Sequence, residues 1–140
     1  MKKNITILFL VAIVCLFACK AKQNTTSQSV TITDKTWVAV QLGENTIEIT
    51  EDRLPNLALS EGKVSGFGSC NRFHGTYTLD GNKISFSPLA RTKMLCQEVQ
   101  QIEDGFLDAL SNAKSWEYKN EKLYFLGEDK KVLVVFRLKE

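Results

Sequence analysis

The chain contains a single histidine, His74, in 140 residues, which excludes a histidine-rich metal site. It has no large excess of either charge. Eighteen Lys+Arg against 16 Asp+Glu leave a formal +2, so the composition specifies neither a basic nucleic-acid binder nor an acidic solvated tail. No C-x-x-C pair occurs among its four cysteines, Cys15, Cys19, Cys70 and Cys96, so the usual signature of a dithiol redox site is missing. The one long apolar run, Ile5 to Ala18, is short of the ~20 residues that a membrane-spanning helix requires. Nor is there length for two ordinary domains, although 140 residues suffice for one core.

What is present begins with that apolar run. Lys2 and Lys3 precede it and only Thr6 interrupts it, the pattern of a secretory signal over residues 1–18. The run ends Leu16-Phe17-Ala18-Cys19, which resembles a bacterial lipobox, with Phe17 bulkier than the usual occupant of its position. The resemblance implies cleavage before Cys19, a diacylglyceryl thioether on its sulfur and an acyl chain on the new amino terminus. Several chains on one residue meet the requirement of more than one signal for stable anchoring. A plain cleaved signal with a chance cysteine is the alternative. Residues 20–35 are rich in Ser, Thr, Gln and Lys and lack apolar periodicity, so 19–35 reads as a lipidated cysteine and flexible tether. Lys20, rather than Asp, follows the cysteine, which favours the outer over the inner membrane of a bacterial cell envelope.

From residue 36 to 140 the chain reads as one domain of short strands and one helix. Thr36–Leu42, Thr46–Thr50, Leu57–Ser60, Lys63–Phe67, Arg72–Leu79, Lys83–Ser87, Lys114–Lys119, Lys122–Leu126 and Val132–Leu138 are the expected strands. Turn signals at Glu61-Gly62, Asp80-Gly81, Asn120-Glu121 and Gly127–Lys130 separate several of them. Between the groups, Val99, Ile102, Phe106, Ala109 and Leu110 recur at spacings of three and four. That spacing predicts a helix over 97–110, with Gln100, Gln101, Asp104 and Asp108 on its wet side. Gly105 costs this helix about 1 kcal/mol relative to Ala, so packing on a sheet must hold it. The expected fold is mainly β: a small antiparallel barrel, closed or nearly so, with one α-helix against it.

Three stretches carry a family resemblance. They are Gly66 with Cys70-Asn71-Arg72-Phe73-His74-Gly75-Thr76-Tyr77, then Thr92-Lys93-Met94-Leu95-Cys96, then Glu103-Asp104-Gly105-Phe106-Leu107-Asp108-Ala109-Leu110. In this order they resemble the META/HslJ family, over about residues 36–138. The matching positions are Gly66, Cys70, Asn71, Phe73, Gly75 and Tyr77; Thr92, Met94 and Cys96; and Glu103, Phe106, Leu107 and Leu110. Ser69 stands where many members have Gly, and Lys93 where Arg is usual, which removes the planar guanidinium fork from that position. The resemblance implies a lipocalin-like antiparallel barrel with a helix and an association with heat shock or antibiotic tolerance. It implies no catalytic residues.

With Cys15 lost in the signal and Cys19 lipidated, Cys70 and Cys96 remain, both outside the reducing cytosol, where pairing is expected. A bridge around 25 intervening residues is worth about 3.5 kcal/mol in the chain-entropy model; two free thiols are the alternative. Other constellations are poorer. His74 alternates with Phe73 and Tyr77 and is expected on the surface. Ser69, His74 and Asp80 share one strand and its flanking turns, without the convergence that a catalytic triad requires. Cys70, His74 and Cys96 supply three ligands without paired spacing for zinc. Trp37, Trp116, Tyr118 and Phe125 read as core or barrel-mouth aromatics, because a nucleic-acid stacking platform would need a basic surround. The expectation is a non-enzymatic, monomeric, membrane-anchored envelope domain without cofactor. It would act on an envelope protein or small-molecule ligand and not on nucleic acid; carriage of a small apolar ligand inside the barrel is the alternative.

Overall fold

The computed structural model describes residues 30–140; the signal, Cys19 and most of the tether read above lie outside the described residues. Ten strands and one helix make up the domain. They are β1 (Thr36–Leu42), β2 (Asn45–Thr46), β3 (Asn56–Ser60), β4 (Lys63–Phe67), β5 (Arg72–Asp80), β6 (Lys83–Phe86), β7 (Ala90–Arg91), α1 (Gln100–Asn112), β8 (Ser115–Lys119), β9 (Lys122–Leu126) and β10 (Val132–Leu138). Every pairing is antiparallel. Eight strands run in the order β1-β3-β4-β5-β6-β8-β9-β10, and β10 returns to pair with β1. The sheet is thus a closed barrel without long free edges. The expected mainly-β barrel with one helix is the observed fold.

Alternation along each strand decides what fills the barrel. Phe73 and Tyr77 of β5, Ile84 of β6, Leu123 and Phe125 of β9, and Val134 and Phe136 of β10 are buried in one core, as a period of two requires. The hairpins β3–β4, β5–β6 and β8–β9 turn at one end, where β1 begins and β10 finishes. The longer connections, including α1, occupy the other end. Phe106 of α1 is fully buried and packs edge-on against Phe73 (5.8 Å) and Phe136 (6.1 Å), while Phe136 meets Phe125 at 5.0 Å. The helix therefore plugs the end it covers with an aromatic side chain. At the hairpin end, Ile32 is 2% exposed, and its carbonyl accepts the Trp37 indole N–H at 2.8 Å. Asp34 N–H donates to the Leu59 carbonyl. Residues 30–35, read as the last part of a tether, thus pack on the domain.

Two further expectations are corrected. Thr46–Thr50 does not form a strand: only Asn45–Thr46 pairs with β1. Further back along β1 that side is taken by β3 and the Pro55 carbonyl, so after one more bond, from Ile47 N–H to the Val40 carbonyl, the chain turns into a short 3-10 segment, Glu51–Arg53. The alternation of Ile47 and Ile49 survives as half-burial without a ladder. The helix begins at Gln100, not Gln97, because residues 97–99 form a turn in which Val99 N–H bonds the Cys96 carbonyl. Val99 is then the N-cap and offers no side-chain oxygen. Leu79, on the same face of β5 as Phe73 and Tyr77, is 36% exposed at the open rim.

Truncating the helix plug should cost what a large core aromatic costs. Phe106→Ala is expected to lower unfolding free energy by about 3–5 kcal/mol, read from urea denaturation followed by tryptophan fluorescence.

A buried carboxylate network behind a disulfide-held loop

The three motif stretches converge at the helix end of the barrel. Glu103, one turn into α1, is fully buried although charged. Its Oε2 accepts the backbone N–H of Cys70 (3.1 Å) and of Asn71 (2.6 Å). Its Oε1 accepts Nδ2–H of Asn71 (2.8 Å) and Nη1–H of Arg91 (3.0 Å). Four donors on one buried carboxylate, one of them a guanidinium, offset the cost of taking it out of water. Asn71, 3% exposed, passes the order onward. Its Oδ1 accepts Thr92 Oγ1–H and Met94 N–H, both at 2.7 Å, and its Nδ2 also donates to the Met94 carbonyl at 3.0 Å. The amide is fully used, which fixes which way round it sits.

The loop so held, residues 92–96, is closed by a disulfide between Cys70 and Cys96 with Cα atoms 5.9 Å apart, the pairing expected for these two cysteines. Pinned at Thr92, Met94 and Cys96, the loop presents Met94 (61% exposed) and Leu95 (78% exposed) to solvent, with exposed Lys93 before them. Beside it, Arg91 also reaches Asp104 Oδ1 at 2.9 Å. The Arg91 guanidinium is held above its ordinary value, chiefly by the hydrogen bond to Asp104. Asp104 lies below the usual carboxylate range, through the Gln100 amide first and Arg91 second.

Close approach sets the small residues here. A Cβ on Gly68 would lie 3.0–3.3 Å from the Glu103 side chain, and one on Gly66 would meet the Asn56 carbonyl at 2.0 Å and the Phe73 ring at 2.8 Å. Ser69 sits at φ +99°, a region that suits glycine. Its buried hydroxyl has no hydrogen-bond partner among the described residues. The departure from Gly noted in the sequence therefore falls on the residue whose backbone most calls for Gly.

Six of the motif residues meet at this site: Cys70, Asn71, Thr92, Met94, Cys96 and Glu103. Phe73, Tyr77, Phe106 and Leu110 are core instead, and Leu107 is half-buried against it. Gly75 faces Leu89, where a Cβ would stand 2.7 Å from the side chain. His74 is exposed, as expected, whereas Ser69 is buried, so the two do not converge. Arg91 was not among the candidate residues. Lys93 holds the motif position that usually carries Arg, yet the guanidinium on Glu103 belongs to Arg91, in β7, a two-residue strand paired with Phe73 and His74 of β5. A strand that short leaves no periodic signal.

A helix-plugged antiparallel barrel with a buried acid bonded to a disulfide-closed turn defines a class of small β domain. The model of the META domain matches residues 30–140, and the chain belongs to that family. Solved structures of similar shape include an NMR structure of a protein from Burkholderia xenovorans, 25% identical, TM-score 0.62, covering 77% of this chain and 83% of that one. A crystal structure of a duf4847 family protein from Bacteroides vulgatus is 18% identical, TM-score 0.58, covering 76% and 93% respectively. No curated protein sequence matches.

Two substitutions should move stability in opposite directions. Glu103→Gln puts an NH2 group against two N–H donors in either orientation, with an expected loss of about 2–4 kcal/mol. Ser69→Gly relieves the positive φ and removes the unpartnered hydroxyl, with an expected gain of about 1 kcal/mol. Both are read as shifts of the urea midpoint at unchanged slope.

Proposed function

We propose that this META-domain chain is a lipid-anchored protein of a bacterial envelope, held through Cys19, and that its domain works by binding and not by catalysis. The observation that carries the reading is the use made of Glu103. All four of its close donors belong to the segments that position loop 92–96, so the buried charge is committed to displaying Met94 and Leu95. A pre-ordered apolar contact loses little freedom when a partner covers it. The partner is accordingly an envelope protein with an apolar pocket, and a role in supporting the envelope under stress follows from the family resemblance. The interior occupied by Phe106, Phe125 and Phe136 favours contact at the surface over carriage of a small apolar ligand inside. The lipobox and Lys20 support anchorage in the outer membrane.

Photo-crosslinking in intact cells tests the binding half. A photoreactive residue at position 95 is expected to give a discrete protein adduct that one at Thr78, on the exposed face of β5, does not give. Cells grown on labelled palmitate are expected to label the chain, and Cys19→Ser to abolish that label. Substrate turnover by the purified chain, abolished by one substitution, would overturn the non-catalytic reading.

A further inference from the structure

A cleft on the outer wall of the barrel shares no residue with loop 92–96. Its volume is about 480 Å3, and three segments meet around it: Asn82-Lys83 at the start of β6, Lys114-Ser115 at the start of β8, and Glu128 and Lys130 in the β9–β10 turn. Backbone bonds fix its walls. β6 and β8 pair at one register position, Lys83 opposite Ser115. On either side of that pair, Ile84 N–H donates to the Lys114 carbonyl (3.1 Å) and Trp116 N–H to the Asn82 carbonyl (2.8 Å). The Trp116 indole N–H adds a bond to the Gly81 carbonyl at 3.1 Å. In the turn, Lys130 N–H donates to the Gly127 carbonyl, and Lys130 stands at φ +63°, a region that a lysine seldom adopts.

Three lysines, Lys83, Lys114 and Lys130, thus border one cleft against a single carboxylate in its lining, Glu128. None of the three is in an ion pair: those among the described residues join Arg91 to Glu103 and Asp104, Lys119 to Glu117 and Arg137 to Glu51. Asp129, next in the turn, has its carboxylate on the N–H of Lys131. Asp80, opposite Lys83 across the hairpin, is not within ion-pair distance of it. At the floor lies Ser115, 5% exposed. Its Oγ accepts Nζ–H of Lys130 at 3.4 Å, which leaves the hydroxyl proton without an acceptor among the described residues. A buried O–H donor bordered by three ammonium groups is suited to an oxyanion. The excess of cations in the lining suits a phosphate monoester, with about −1.5 to −2 charges at pH 7, better than a singly charged carboxylate or phosphodiester. The volume falls within the ~300–1,000 Å3 of small-molecule pockets, so a bare phosphate would leave much of it empty. Glu128 repels a phosphate but accepts hydroxyl protons, and the Asn82 amide can both donate and accept.

We infer that this cleft binds a sugar phosphate, with the phosphate on Ser115 and the three lysines and the sugar hydroxyls toward Glu128 and Asn82. It requires neither the anchor at Cys19 nor a partner on loop 92–96, so it stands or falls separately from the function proposed above. Titration of the purified chain with glucose 6-phosphate at low ionic strength, followed by amide NMR, tests it. Saturable shifts are expected at Lys83, Ser115 and Lys130. Inorganic phosphate should bind at the same amides about tenfold more weakly, and glucose should shift none of them. Lys114→Gln is expected to weaken binding about fivefold or more at an unchanged urea midpoint. Lys131→Gln removes the same charge from beside the cleft and should change binding about twofold or less. Glu128→Ala should erase the preference for glucose 6-phosphate over inorganic phosphate. Vesicles bearing a phosphorylated glycolipid separate the two sources of the group: competition with glucose 6-phosphate assigns the lipid-borne form, and its absence the free one. No saturable shift with glucose 6-phosphate, or equal losses in Lys114→Gln and Lys131→Gln, overturns the site.

Discussion

One buried carboxylate, Glu103, organises the helix end of this domain. Glu103 draws together the turn before β5, the strand β7 and the helix, three segments far apart in sequence. Its four donors come from Cys70, Asn71 and Arg91. A charge buried at that depth is tolerable only when every partner is in place, because removing any one leaves an uncompensated group. The network consequently acts as a register check on the fold. The barrel supplies stability through its aromatic interior, whereas the carboxylate supplies uniqueness, selecting the one arrangement in which helix, turn and loop agree.

The order then passes outward. Asn71 converts a buried charge into a set of directed backbone bonds on Met94, and the disulfide closes the far side of the same loop at Cys96. The exposed Met94 and Leu95 are thus held more firmly than most loop tips, which fray at little cost. The family motif is largely the description of this apparatus. Its Cys, Asn, Thr and Glu positions hold the loop, and its Gly and aromatic positions let the strands and helix pack closely enough for Glu103 to reach.

Much of this was legible in the sequence because strand alternation and turn residues are local signals. β1, β4, β9 and β10 have the bounds that their patterns predict, and Asp80-Gly81 marks a real hairpin, with Gly81 at φ +58°. The disulfide followed from which cysteines remained. What local signals do not carry is competition between segments. TIEIT alternates as a strand should, but the edge it would run along is already taken by β3 at Thr36–Val38 and by the Pro55 carbonyl at Ala39. The helix starts later than its apolar stripe, because Val99 belongs to the stripe and yet closes a turn from Cys96. Glu103 sits within the helical pattern, and nothing nearby in sequence announces that three of its four donors lie on Cys70 and Asn71, more than thirty residues earlier. Arg91 gave no signal, being a charged residue in a two-residue strand.

Closure of the barrel by its first and last strands has a temporal consequence. Trp37 of β1 is opposite Leu138 of β10, so the seam joins residues about a hundred positions apart. A ribosome adding ~5–20 residues per second leaves β1 without that neighbour for some 5–20 s. During this interval β1 lacks the neighbour that closes the sheet. The domain therefore cannot close until its final strand has been delivered.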